Sequence, residues 1–190
     1  MNFKCLDLID SGQARIYWDR ENYAMVEKLF FQSAEFCSEH EVWKLNVAHV
    51  FFMQDSKFKD AIRYYDPIVK RHQENLLDVT AIILANLCVS YIMSSQNEEA
   101  EDLMRRIEKE EERLTFTDPE RQCFHLCIVN LVIGTLYCSK GNYEFGISRI
   151  IKVRFVNKPI LCLKRFSPLS HTSKSCIRIR GTMQSAVFSL

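Results

Sequence analysis

Four times along the chain an aromatic residue is followed nine places later by a small or aliphatic one, and four places after that by a large apolar one. The sets are Tyr17/Val26/Phe30, Phe52/Ala61/Tyr65, Tyr91/Ala100/Met104 and Tyr137/Gly146/Ile150. A polar stretch follows each aromatic: "DREN", "QDSKF", "SSQNEE" and "SKGNY". Apolar positions at helical spacing on both sides of a short polar break predict a helix, a tight turn and a second helix packed back on the first. One such hairpin cannot bury its apolar face alone, so hairpins in series stack on one another. Gly (5) and Pro (4) are scarce, as suits long helices with short turns.

The spacing matches the tetratricopeptide repeat, with its W-x2-L-G-x2-Y…A-x3-F pattern and period of about 34 residues. The last copy reads Asn130, Ile133, Gly134, Tyr137, Gly146, Ile150, and the third Leu84, Leu87, Cys88, Tyr91, Ala100, Met104. The second reads Leu45, Ala48, His49, Phe52, Ala61, Tyr65, and the first Asp10, Gln13, Ala14, Tyr17, Val26, Phe30. The fold class is therefore all-α: a tetratricopeptide-repeat α-solenoid of about four hairpins, over 7–40, 42–75, 81–114 and 127–153. Ala14, Cys88 and Gly134 are small where the two helices of a hairpin approach most closely. Ala61, Ala100 and Gly146 are the matching sites on the second helix. His49 breaks that rule and predicts a looser crossing. The equivalent turn positions Tyr23, Phe58, Asn97 and Tyr143 lie 35, 39 and 46 residues apart. The growing excess falls between hairpins and implies longer helices and loops there, with Asp118 capping a helix that has Pro119 at its first position. Glu101–Arg105 and Asp102–Arg106 are spaced as i,i+4 ion pairs on a solvated helix face.

Charge divides the chain. Residues 153–190 hold seven Lys/Arg and no Asp or Glu, whereas 1–152 hold 18 basic and 24 acidic side chains, a net of −6. A boundary is placed at Lys152, between the solenoid over 1–152 and a basic, Ser- and Pro-interrupted tail over 153–190. The tail is expected to be mostly irregular and disordered, with a short helix near 160–166. Ile147, Ile150 and Ile151 in the last helix are expected to lie uncovered. No apolar run approaches the roughly 20 residues that span a bilayer, and the N-terminus is too acidic for a secretory signal, so the chain is expected to be intracellular. Most of the eight cysteines sit inside apolar helical stretches and read as reduced, buried hydrophobes.

In stacked hairpins of this kind the first helices line a concave groove. Counting from the repeat positions, its side chains are Trp18, Trp43, Asn46, Val50, Met53, Ile82, Ala85, Val89, Ile92, Ile128, Leu131 and Thr135. An apolar, aromatic groove suits an extended proline-rich or aliphatic segment. The opposing reading is that these residues only pack the solenoid. Repeat proteins that clamp an acidic C-terminal peptide need Lys and Arg in the groove, and only Arg15 is available. Catalytic signatures are missing: no phosphate-binding glycine loop, H-E-x-x-H, G-x-S-x-G or C-x-x-C occurs. His40, His49, His72 and His171 have no partner constellation. Cys123, His125 and Cys127 invite a metal, but on a helix His125 points about 160–200° away from the two cysteines. No metal, cofactor or catalytic residue is assigned, and no nucleic-acid or membrane partner is expected.

Longer strings go beyond the generic repeat. "YWDRENYAMVEKLF", "VWKLNVAHVFFMQ", "LANLCVSYIMSSQNEEAEDLMRRIEKEEERL" and "HLCIVNLVIGTLYCSKGNYEFGISRIIK" resemble the tetratricopeptide repeat protein 30 (fleer) family over about residues 10–152. The resemblance implies a non-enzymatic scaffold of intraflagellar transport complex B, present in cilium and cytoplasm and needed for anterograde transport and cilium assembly. It further implies a superhelix around a proline-rich stretch of another core subunit, with indirect links to kinesin, to tubulin cargo and to tubulin polyglutamylation. The family's members are longer, so this chain resembles an internal piece followed by a divergent tail. Two alternatives stand beside that reading: a generic co-chaperone-like peptide binder, and a truncated form that no longer binds.

Overall fold

The computed structural model describes residues 12–118 and 123–155. Its elements are α1 (Gly12–Asp19), α2 (Tyr23–Cys37), α3 (Glu41–Phe52), α4 (Phe58–Arg71), a 3₁₀ segment (Gln73–Asp78), α5 (Ala81–Met93), α6 (Asn97–Thr117), α7 (His125–Ser139) and α8 (Tyr143–Phe155). No strand occurs among the described residues, so the fold class is all-α, of tetratricopeptide-repeat type. The helices fall into two compact units divided between Arg71 and His72. In the first, α1 packs on α2, α2 on α3 and α3 on α4, in chain order. In the second, α5 packs on α6 and α7, and α7 packs on α6 and α8. Each unit is thus two hairpins stacked in succession. The tail beyond Phe155, including the helix expected near 160–166, lies outside the described residues.

The second helix of every hairpin begins six residues after the repeat aromatic, at Tyr23, Phe58, Asn97 and Tyr143. Three of the four turns close the same way. Asn22 N–H bonds Tyr17 O at 2.9 Å, Gln96 N–H bonds Tyr91 O at 2.8 Å, and Asn142 N–H bonds Tyr137 O at 2.9 Å. This six-to-one closure places Glu21, Ser95 and Gly141 at positive φ (56°, 64° and 84°), where a glycine is favoured. Asn22 and Asn142 then start the next helices, each side-chain oxygen accepting the N–H three residues on. The second hairpin ends α3 earlier and turns through Gln54 and Lys57 instead.

The expected close approaches are present. A Cβ on Gly134 would meet Gly146 O at 2.8 Å, and one on Gly146 would meet Gly134 O at 2.7 Å and Cys138 N at 2.9 Å. Only two glycines let α7 and α8 come backbone to backbone. Ala14, Ala48, Ala61, Cys88 and Ala100 are likewise buried. Residues Ile83 through Ile92 are buried without interruption, because α5 lies between two neighbours rather than on a surface. The extra length between hairpins is taken up by the 3₁₀ segment and by α6, which runs 21 residues.

Several expectations need correction. His49 has a partner constellation after all: its Nδ1 is hydrogen-bonded to Tyr65 Oη at 2.6 Å, with the rings edge to face. The oversized residue is accommodated because the opposing helix supplies a phenol that satisfies its ring nitrogen. The helix expected to begin at Pro119 lies outside the described residues, and Asp118 itself belongs to the end of α6. Its N–H bonds Leu114 O, and the next described helix starts at His125. Arg105 reaches Asp102 at 3.7 Å, on the i−3 side, rather than Glu101. Cys88, Cys123, Cys127 and Cys138 are reduced, but the buried Cys37 is disulfide-bonded. Ile147 and Ile151 are half exposed, as expected, whereas Ile150 is turned onto Gly134.

Candidate partner-binding surface

In the first unit the residues expected to line a groove are occupied in packing. Trp18 is 1% exposed and meets the edge of Tyr23 at 5.3 Å. Trp43 is 3% exposed, donates its Nε1–H to Ser33 Oγ at 2.9 Å and lies edge-on to Tyr64. Ser33 in turn donates to Phe30 O, so the tryptophan is held by a short relay from α3 into α2. Asn46, Val50 and Met53 are buried too. In the second unit Val89, Ile92 and Leu131 are buried, together with Ala85, whereas Ile82, Ile128 and Thr135 remain half-buried. Helical spacing puts Ile82, Ala85, Val89 and Ile92 on one face of α5, and Ile128, Leu131 and Thr135 on one face of α7.

What the first unit leaves open is a different set. An open cleft of roughly 450 Å³ is lined by Glu27 and Phe31 of α2, Phe51 of α3, Lys57 just before α4, and Asp60, Arg63 and Tyr64 of α4. Phe31 and Phe51 have ring centroids 6.2 Å apart, and Phe51 and Tyr64 5.7 Å apart. Lys57 Nζ stands 5.5 Å over the Phe51 ring and pairs with Glu27, which also accepts from Gln54 Nε2 at 2.8 Å. Phe31 is 48% exposed. Tyr64 is half-buried and Phe51 buried, so the exposed Phe31 ring and part of Tyr64 supply the apolar side of a cleft whose remaining lining is charged, with both signs present. An arrangement of this kind takes flat or ring-shaped apolar groups of an extended chain and hydrogen-bonds its backbone at the edges. The repeat register did not point to Phe31 or Tyr64, because both fall on second helices. Their signal was available only as aromatic residues on otherwise charged helix faces.

The second unit holds a further cluster. His125 Nε2–H donates to Val79 O at 2.9 Å, and Nδ1 faces Cys123 Sγ at 3.3 Å. Glu111, buried on α6, accepts the Leu126 N–H at 2.9 Å and so caps the start of α7. Burial raises its carboxyl above the usual range, and the Leu126 hydrogen bond and the neighbouring His125 only partly offset this. The Cys88 thiol is pushed up to about 12 by burial, which makes it an inert core group. The His49 ring is lowered to about 4 by burial. Among the described residues no helix is long and apolar enough to cross a membrane.

Comparison with known proteins adds a relationship that the geometry does not supply. The profile of the intraflagellar transport protein 70 C-terminal domain family matches residues 8–162. Intraflagellar transport protein 70A of Danio rerio is 73% identical over 141 residues, covering 74% of this chain and 22% of that protein. The Homo sapiens proteins 70A and 70B are 72% and 71% identical over the same length, each with 21% of its own length covered. The chain spans about one fifth of these relatives.

Proposed function

The chain belongs to the intraflagellar transport protein 70 family, and from that premise we propose that it serves as a non-enzymatic scaffold of the transport particle. Its partner is an extended, apolar or proline-rich segment of another complex B core subunit, and its place of action is the cilium and the cytoplasm that supplies it. Anterograde transport and cilium assembly are the processes it serves. Its connection to kinesin, tubulin cargo and tubulin polyglutamylation runs through recruitment, since no nucleophile or acid–base pair is nominated by the sequence.

The observation that carries the partner reading is the open cleft in which the exposed Phe31 and half-buried Tyr64 flank the buried Phe51, beside a core that already buries both tryptophans. Proline rings dock on such aromatic surfaces at small entropic cost because the polyproline helix is already extended. In the second unit, taken by itself, the face of α5 and α7 carrying Ile82, Val89, Ile92, Ile128 and Leu131 is a second proposed contact surface. Trp18, Trp43, Asn46, Val50 and Met53 pack the core of the first unit, where their proposed role is to hold the cleft-bearing helices.

Binding of proline-rich peptides from complex B core subunits, measured by titration calorimetry, tests the reading. Phe31→Ala and Tyr64→Ala should weaken binding tenfold or more, since aromatic anchors in open pockets dominate such interfaces. Phe31→Ala should leave the unfolding midpoint nearly unchanged. Equal affinity in wild type and both variants would refute the cleft as the docking site. Preference for an acidic C-terminal peptide would favour a co-chaperone-like role, and no binding of either would indicate that this length of chain does not dock.

A further inference from the structure

The end of α6 and the start of α7 bring together three side chains that a continuous helix would have kept apart. Cys123 precedes α7, whose first residue is His125. Since Cys123 is not in the helix, its side chain folds back and meets the histidine instead of diverging from it. Glu111, Cys123 and His125 each present one donor atom, and the three atoms all lie within 4.8 Å of one another. The histidine is oriented for coordination. Its Nε2–H is committed to Val79 O at 2.9 Å, which leaves Nδ1 as the lone-pair nitrogen, aimed at Cys123 Sγ 3.3 Å away. A ring N–H anchored on a backbone carbonyl is the usual outer support of a metal-bound imidazole. A tetrahedral zinc ion with ordinary bond lengths holds its sulfur and nitrogen ligands about 3.5 Å apart, close to the spacing found here.

We propose that Glu111, Cys123 and His125 form a binding site for a divalent ion of the zinc class, through carboxylate, thiolate and imidazole Nδ1. Mixed sulfur, nitrogen and oxygen donors suit zinc or cobalt and disfavour magnesium or calcium, which take oxygen alone. Cys123 and His125 are half-buried, so water takes the fourth position. On binding, the thiol gives its proton to solvent and the sulfur lone pair goes to the metal. The ion links α6, through Glu111, to the start of α7, through His125 in its first turn and Cys123 just before it. It therefore acts as a staple between one hairpin and the next. This inference is independent of the partner reading above.

Cobalt(II) titration of the metal-free full-length chain provides the test. Wild type should take up one equivalent, with a thiolate-to-cobalt charge-transfer band in the near ultraviolet and visible bands of a tetrahedral ion, all displaced by zinc. Cys123→Ser and His125→Gln should each lose the bands and weaken affinity at least tenfold. Glu111→Gln, which keeps an acceptor for the Leu126 N–H, should weaken affinity while leaving the helical circular dichroism intact. Cys127→Ser, a thiol one turn further along α7, should behave as wild type. Zinc should raise the melting midpoint of wild type and not of Cys123→Ser. Absence of the bands in wild type would overturn the proposal, as would their survival in Cys123→Ser.

Discussion

Acidification should destabilise the first unit through His49. The ring is buried 16 residues along the chain from its partner Tyr65 and is neutral in the fold, its pKa lowered from 6.5 to about 4 by loss of hydration. Above pH 6.5 the ring is neutral whether the chain is folded or unfolded, and the fold loses nothing. Between 6.5 and about 4 the unfolded chain binds a proton that the folded chain does not, so stability falls as pH falls through this window. Below about 4 both states are protonated and the loss is complete. A difference of this size corresponds to about 3 kcal/mol, against a total stability of roughly 5–15 kcal/mol for an ordinary domain. Both tryptophans of the chain, Trp18 and Trp43, are in the unit that contains His49. Urea unfolding followed by tryptophan fluorescence therefore reports on that unit. Carboxylates also titrate in this range, so the informative quantity is the difference between wild type and His49→Gln, which keeps a polar partner for the phenol but has no proton to gain. Wild type should lose most of the 3 kcal/mol between pH 7.5 and 4.5 beyond whatever the variant loses. Parallel losses in the two proteins would refute the argument that the buried imidazole stays neutral.

Two further outcomes follow from the turns and crossings. Gly146→Ala should lower stability by about 1–3 kcal/mol despite the higher helix propensity of alanine, because its Cβ would strike the Gly134 carbonyl and the Cys138 amide, which are backbone and cannot rotate away; an unchanged urea midpoint would show that α7 and α8 can separate at no cost. Ser95→Gly should raise stability by several tenths of a kcal/mol up to about 1, since Ser95 holds φ at 64° in a turn that three of the four hairpins share; destabilisation on thermal melting would mean that the serine side chain contributes more than its backbone strain removes.

The helices, the turns and the hairpin register were legible because they depend on neighbours in the chain. The interval from Tyr91 to Ala100 to Met104 specifies a helix end, a turn and a returning face regardless of what packs there. The same logic marks Gly134 and Gly146 as facing small sites, which the structure brings backbone to backbone. It missed the partner of His49, because along the chain only the residue's size could be weighed. A hydrogen bond from Tyr65, on the facing helix, decided the matter. It missed again at Cys123, which the helical register puts on α7 but which precedes that helix's first residue, His125. A residue outside the helix obeys no helical angle, so Cys123 and His125 could meet.

Periodicity along one strand of sequence thus determined which side chains share a face, and with it the all-α hairpin architecture. Whether a given face meets another helix or remains open was decided only by tertiary packing. Trp43 and Phe31 read alike as large aromatic residues on helices, yet one is sealed by Ser33 and Tyr64 and the other is half exposed beside Phe51. The aromatic cleft draws on three helices, and the Glu111/Cys123/His125 cluster on two. Burial is a property of partners brought together across the chain, and local spacing carries no record of their distance or direction.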